Sequence, residues 1–362
     1  MGGLKIGPAR ATSEEYRFRA IRSDPVMSAS RTSRSPQMSE NEKKGIEKIC
    51  FIAPSSRLEA SDAPILNRTV RLLRKTFGAR EVCLSPFLFS SDELIRHVTA
   101  STEERSKEFK AVIREFDLIA SVAGGTGAED LVLSIDKSDF EVIRSRKPLF
   151  IGFSDFTFLL NEIYFKCRIP SILFPSLRLN RGNSQKILSL VSGEDVPSRG
   201  SLWLTPPPAR QISGVPIGGN LTTFVNWLNR ENPPKVNWRK HILFIEDIQI
   251  DVEDLHRLLA ALRRHKMIKR IRGLVIGSLC EERAGSHGKE FQRKALSFLK
   301  AYLAEVLRIR QKRGSPLPIL VSSSFGHNIT RNLPAIPIGG HVSIAKSKEM
   351  IFRLAKKREA TS

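Results

Sequence analysis

The chain has 362 residues, 41% of them hydrophobic, which is too long for one ordinary core and too apolar for disorder, so two domains of about 150 to 200 residues are expected. Lys and Arg number 59 against 37 Asp and Glu, and the resulting charge of +22 admits anionic partners without requiring one. No run of about 18 apolar residues occurs and no apolar core follows the basic N-terminus, so neither a membrane span nor a secretory signal is expected, and the cytoplasm is the default location.

Residues 1–45 are rich in Ser, Arg and Pro without hydrophobic period and are expected to form a flexible basic tail. From Lys48 short β-rich runs alternate with longer helical patterns: strand 49–53, helix 62–77, strand 81–84, a polar helix over 91–115, strand 118–122, a helix after Gly127, strand 148–151, helix 155–166 and strand 171–174. This alternation predicts an α/β fold, a doubly wound parallel sheet over 46–178. The Pro- and Gly-containing stretch 179–211 reads as a linker. A smaller C-terminal α/β domain is expected over 212–356, with strand 215–217, a helix after Gly219, strand 241–245, a helix from Asp251, strand 274–276, helix 289–309, strand 319–321 and two closing strands around 341–355. In the helix after Asp251, Leu255, Leu258, Leu259 and Leu262 form an apolar stripe, and Asp251 is placed to cap with Asp254. Cys50, Cys83, Cys167 and Cys280 lie far apart in apolar runs, as buried free thiols would.

The most informative segment is 151–157, where an apolar strand ends at Gly152 and a helix begins at once with Ser154 on the turn. Such an elbow presents a hydroxyl at the carboxyl edge of a sheet; a plain N-cap is the other reading, and Phe156 breaks the G-x-S-x-G form. Gly124-Gly-Thr-Gly127 makes a second turn on the same edge, where the Gly125 amide could join that of Asp155 as an oxyanion hole. A tight turn needing positive φ accounts for these glycines equally, and a P-loop lysine is missing. Glu246 and Asp247 end an apolar strand, and alternation lets at most one of the two aim at a cleft. His327 follows a buried strand into a Gly-containing loop, a better place for a base than His256 or His265 on a charged helix face. No Cys/His/Asp grouping has ligand spacing, so neither metal nor cofactor is expected.

Segments 51–56 (FIAPSS), 123–127 (AGGTG), 151–155 (IGFSD), 218–221 (GGNL), 243–247 (LFIED) and 325–327 (FGH) together resemble the serine L,D-carboxypeptidase family, which includes the microcin C immunity peptidases. The resemblance spans roughly residues 48–345, in the right order. It implies a metal-free hydrolase with Ser154 as nucleophile in the first domain and Glu246 and His327 supplied by the second. It further implies a murein peptide as substrate, with D-Ala released from the tetrapeptide across an L,D bond; a homodimer is the expected assembly. Ala123 and Thr126 stand where the carboxypeptidase branch shows Arg and Tyr, and residues 219–246 hold no long insertion of the microcin kind. A microcin C-type immunity hydrolase or another amidase on the same scaffold remains the alternative. Arg263, Arg264, Lys266, Lys269, Arg270 and Arg272 would suit a nucleic-acid binder, but no aromatic interleaving accompanies them, so nucleic acid is not the expected partner.

Overall fold

In the computed structural model, which describes residues 19–21, 45–92, 97–233, 235–280 and 288–354, the apolar runs become strands and the periodic runs helices. Runs centred on Cys50, Ile119, Phe150 and Ile172 have no polar side to offer water and are buried on both faces. The first domain holds β1 (Arg19–Ile21), β2 (Lys48–Ile52), β3 (Glu81–Leu84), β4 (Leu118–Ser121), β5 (Leu149–Gly152) and β6 (Ser171–Leu173). Helices α1 (Ala63–Phe77), α2 (Thr102–Glu115), α3 (Ala128–Leu133), α4 (Lys137–Arg146) and α5 (Thr157–Cys167) connect and cover them. Strands β3, β2, β4, β5 and β6 run parallel in that spatial order. The order reverses between β2 and β4, and open α/β sheets bind ligands outside the carboxyl ends of strands at such a reversal.

The polar helix expected over 91–115 is shorter. Ser101 accepts the Glu104 amide and Glu104 returns a bond to the Ser101 amide, so this capping box starts α2 at Thr102. Before it, Val98 bridges to Ser56, and the Thr99 hydroxyl donates to the Ala53 carbonyl, which draws the segment across the end of β2. The tail expected over 1–45 lies outside the described residues apart from Gly45 and from β1, which pairs antiparallel with β3.

Residues 179–211 carry α6 (Arg181–Val191), β7 (Val196–Arg199) and β8 (Leu202–Trp203). The second domain continues through β9 (Ile212–Asn220), α7 (Leu221–Asn229), β10 (His241–Ile248), α8 (Val252–Arg264), β11 (Gly273–Cys280), α9 (Gly288–Lys312), β12 (Ile319–Val321), β13 (Ile336–Ile338), β14 (His341–Ile344) and β15 (Glu349–Arg353). Its sheet runs β7-β15-β14-β9-β10-β11-β12-β8, with β9 to β12 parallel. β7 and β8, from the stretch read as a linker, close its two edges. β13 leaves this sheet and pairs antiparallel with β6 of the first sheet. Asp251 caps α8 in a box with Asp254. All four cysteines are free and buried. Among the described residues no helix is long and apolar enough to cross a membrane.

Candidate active site

Ser154 owes its position to the end of β5. A Cβ on Gly152 would come within 2.0 Å of the Phe156 ring, which is fully buried, so the chain can turn this sharply only on glycine. Ser154 itself has φ 59, in the left-handed region that costs a non-glycine residue about 1–2 kcal/mol. The following turn, Ser154–Phe156, leads into α5, whose Phe158, Leu159, Leu160 and Ile163 are all buried and hold the strained residue in place. Ser154 caps nothing. Its Oγ lies 2.9 Å from His327 Nε2.

His327 arrives from the second domain on the loop after β12. Relative to β10, β11 carries an extra residue near Gly277 and Ser278, and the Ser278 amide there donates to the Phe325 carbonyl at 2.8 Å. Gly326, with φ 131, sits so close that a Cβ would be 2.6 Å from Ser278 Cβ, and Phe325 packs edge-on against Phe244. The imidazole then rests beside Phe153, ring centroids 4.8 Å apart. Glu246 is fully buried beneath it: Oε2 accepts from the ring Nδ1 at 2.6 Å and from the His327 amide at 3.0 Å. This network assigns the tautomer, with the proton on Nδ1 and the Nε2 lone pair open to the Ser154 hydroxyl.

As strand alternation leads one to expect, only one of Glu246 and Asp247 lines the cleft, although the β10–β11 pairing is irregular at this pair. Glu246 points beneath His327, and Asp247 lines the cleft. Asp247 is satisfied by the Asn220 amide group at 2.7 Å, the Thr222 amide at 2.8 Å, the Thr222 hydroxyl at 2.7 Å and the Ile248 amide at 2.8 Å. Burial pushes its carboxyl above the ordinary value, and the Thr222 hydroxyl pulls it back.

The glycine turn after β4 abuts the elbow. A Cβ on Gly124 would meet Ser154 Cβ at 2.5 Å and approach the Asp155 nitrogen at 3.5 Å; one on Gly125, at φ 109, would strike the Ser56 hydroxyl. Gly124 thus packs directly against Ser154 and the Asp155 amide, and Gly125 against Ser56. Sequence reasoning used only the amide of Asp155 and missed its side chain, which accepts from Ser55 Oγ at 2.6 Å and from the Ala128 amide at 2.8 Å, tying the turns after β2 and β4 to the elbow. Burial raises this carboxyl, with those two bonds opposing. Arg105 was also missed. Buried under the same turns, it donates through Nη1 to the Pro54 and Gly127 carbonyls, both at 2.6 Å, and through Nε to the Ala100 carbonyl at 3.1 Å. Nothing local in α2 marks its link to the site, since the Pro54 and Gly127 carbonyls are far away in sequence.

These groups converge on a cleft of about 800 Å³ lined from both domains, by Gly124, Gly125, Ser154 and Arg178 on one side and Asn220, Asp247, Arg257 and His327 on the other. His256 and His265 lie elsewhere on α8 and at its end, against Tyr302 and Asn229. Among the described residues no group of three or more His, Cys, Asp or Glu could hold a metal ion.

Fold and cleft together define an α/β peptidase. Two family models match in succession, the LD-carboxypeptidase N-terminal domain over residues 49–173 and the LD-carboxypeptidase C-terminal domain over 213–344. The chain belongs to the LD-carboxypeptidase family. A Treponema pallidum protein named "Putative carboxypeptidase" is 24% identical over 336 residues, covering 84% of this chain and 91% of that protein. The Escherichia coli microcin C7 self-immunity protein MccF is 22% identical over 283 residues, covering 68% of this chain and 76% of its own. Among solved structures, muramoyltetrapeptide carboxypeptidase from Oxalobacter formigenes superposes with a TM-score of 0.65 at 20% identity, covering 86% of this chain and 100% of that one. MccF in complex with aspartyl sulfamoyl adenosine gives 0.66 at 20%, covering 86% and 98%.

Proposed function

We propose that the protein is a cytoplasmic serine L,D-carboxypeptidase that releases D-Ala from murein tetrapeptide during cell-wall recycling. The observation that carries this reading is the line from Ser154 through His327 to Glu246, with separations of 2.9 Å and 2.6 Å, at the floor of a cleft. Ser154 Oγ attacks the carbonyl carbon of the diamino acid while His327 Nε2 takes its proton, and Glu246 stabilises the imidazolium that forms. The oxyanion of the tetrahedral intermediate is received by the Gly125 and Asp155 amides at the start of the elbow helix. The C–N bond then breaks, the D-Ala nitrogen leaves with the proton from His327, and a water molecule activated by the same imidazole frees the tripeptide from Ser154.

A second reading, an immunity hydrolase, is favoured by the similarity to MccF, which is of the same degree. The two are separated by incubating the protein with murein tetrapeptide and, in parallel, with aspartyl sulfamoyl adenosine. Equimolar D-Ala and tripeptide by mass spectrometry supports the carboxypeptidase; cleavage of the sulfamoyl adenosine alone moves the assignment to the immunity class.

A further inference from the structure

A carboxypeptidase must recognise a free terminal carboxylate, and covalent geometry limits where. The leaving nitrogen has to come within about 3 Å of His327 Nε2 to take its proton. The carboxyl carbon of the leaving residue is two bonds further on, only about 2.5 Å away. The group that neutralises it must therefore stand beside His327.

Among the described residues that line the cleft, Arg178 and Arg257 carry guanidinium groups. Arg257 lies on α8 and is paired with Asp254. Arg178 comes from the short turn after β6, and its Nη1 donates to the His327 carbonyl at 2.6 Å and to the Ile329 carbonyl at 2.8 Å. Those bonds fix the fork against the loop that carries the base and use one nitrogen. Arg178 lines the cleft, and Nε and Nη2 have no hydrogen-bond partner among the described residues, so two nitrogens of a planar fork remain, the arrangement that matches a carboxylate in two parallel hydrogen bonds.

We infer that Arg178 is the receptor for the C-terminal carboxylate of the leaving amino acid and so makes the cleft an exopeptidase site. The inference rests on the carboxypeptidase reading and adds to it the group that selects a free terminus. It also explains why the fork is anchored to the His327 carbonyl: base and carboxylate receptor move as one unit, which keeps the leaving nitrogen in register with the imidazole.

Calorimetric binding of D-alanine and of D-alaninamide to the intact protein tests this without requiring turnover. The parent should bind D-alanine at least tenfold more tightly than the amide, and Arg178→Gln, with its fold checked by circular dichroism, should bind the two alike. Arg178→Lys keeps the charge without the fork and should retain only part of the preference, which gives a second reading if the Gln variant does not fold. With tetrapeptide and its C-terminal amide as substrates, the ratio of kcat/KM values should collapse in the same variants. A preference for D-alanine that survives in Arg178→Gln, or its absence in the parent, overturns the assignment. Carboxylate-dependent binding without D-Ala release from tetrapeptide would instead sink the proposed function and leave the role of Arg178 standing.

Discussion

Glu246 grips His327 twice through a single atom: Oε2 takes both the ring Nδ1–H and the backbone N–H. Side-chain tautomer and main-chain position are thus set by one buried oxygen. If Glu246 acts as proposed, replacing it by Gln keeps the shape but removes a charge facing the imidazole, and kcat should fall by about 10⁴ with little change in KM. Asp247→Asn should behave differently. It disturbs an acceptor with four donors from Asn220, Thr222 and Ile248, and the expected result is a lower melting temperature with a smaller loss of turnover. Loss of turnover in the Asp247 variant alone would reverse the two roles.

Ser154→Ala should lower kcat by a factor on the order of 10⁴ to 10⁶. The left-handed φ of 59 is tolerated by Ser and Ala alike, so the melting temperature should stay within a few degrees of the parent. An active-site serine probe should label the parent and not the variant. Near-parental turnover in Ser154→Ala would remove this hydroxyl from the mechanism.

Two buried groups set opposite limbs of the stability profile. Burial pushes Glu108 up to about 7 from an ordinary 4.5, so it folds protonated, and stability is lost as pH rises from about 4.5 through 7. Glu108→Gln should be more stable than the parent at pH 8.5 by up to about 3 kcal/mol, with the gap closing below about pH 5. His241, beside Tyr164, is held down to about 4 by burial against an ordinary 6.5, so it folds neutral, and stability is lost as pH falls from about 6.5 to 4. Urea midpoints across this range read both limbs; a flat difference between Glu108→Gln and the parent would contradict the first.

Chelation should leave activity intact. With no described cluster of metal-binding side chains in the cleft, treatment with EDTA is expected to change kcat by less than twofold. Inhibition that added zinc restores would refute this.

The elements of both sheets were readable where the chain carries a short unbroken apolar run bounded by turn residues, because such a run suits a strand buried on both faces. Ser154 and Glu246 stood out because each lies where one of these runs stops, and His327 because the loop after such a run leads to it. What escaped notice depends on partners far away in sequence. β13 is three residues containing a proline, and nothing in Ile336-Pro-Ile338 says which sheet it will join. The extra residue in β11, opposite Glu246 and seating the Phe325 carbonyl on the Ser278 amide, is a matter of register between strands. Arg178 meets carbonyls 149 and 151 positions away, a relation without any local signature.

The crossing of β13 into the first sheet has a consequence for how the protein is made. The first domain is synthesised earliest, yet β6 has an open edge until residues 336–338 have emerged to pair with it. A chain ending before that strand already holds Ser154 and His327 but leaves the edge of β6 unpaired. In order of synthesis the elbow of Ser154 comes first, the loop of His327 second and the strand that covers the edge of β6 last, so the first sheet is completed only after both of these residues have been made.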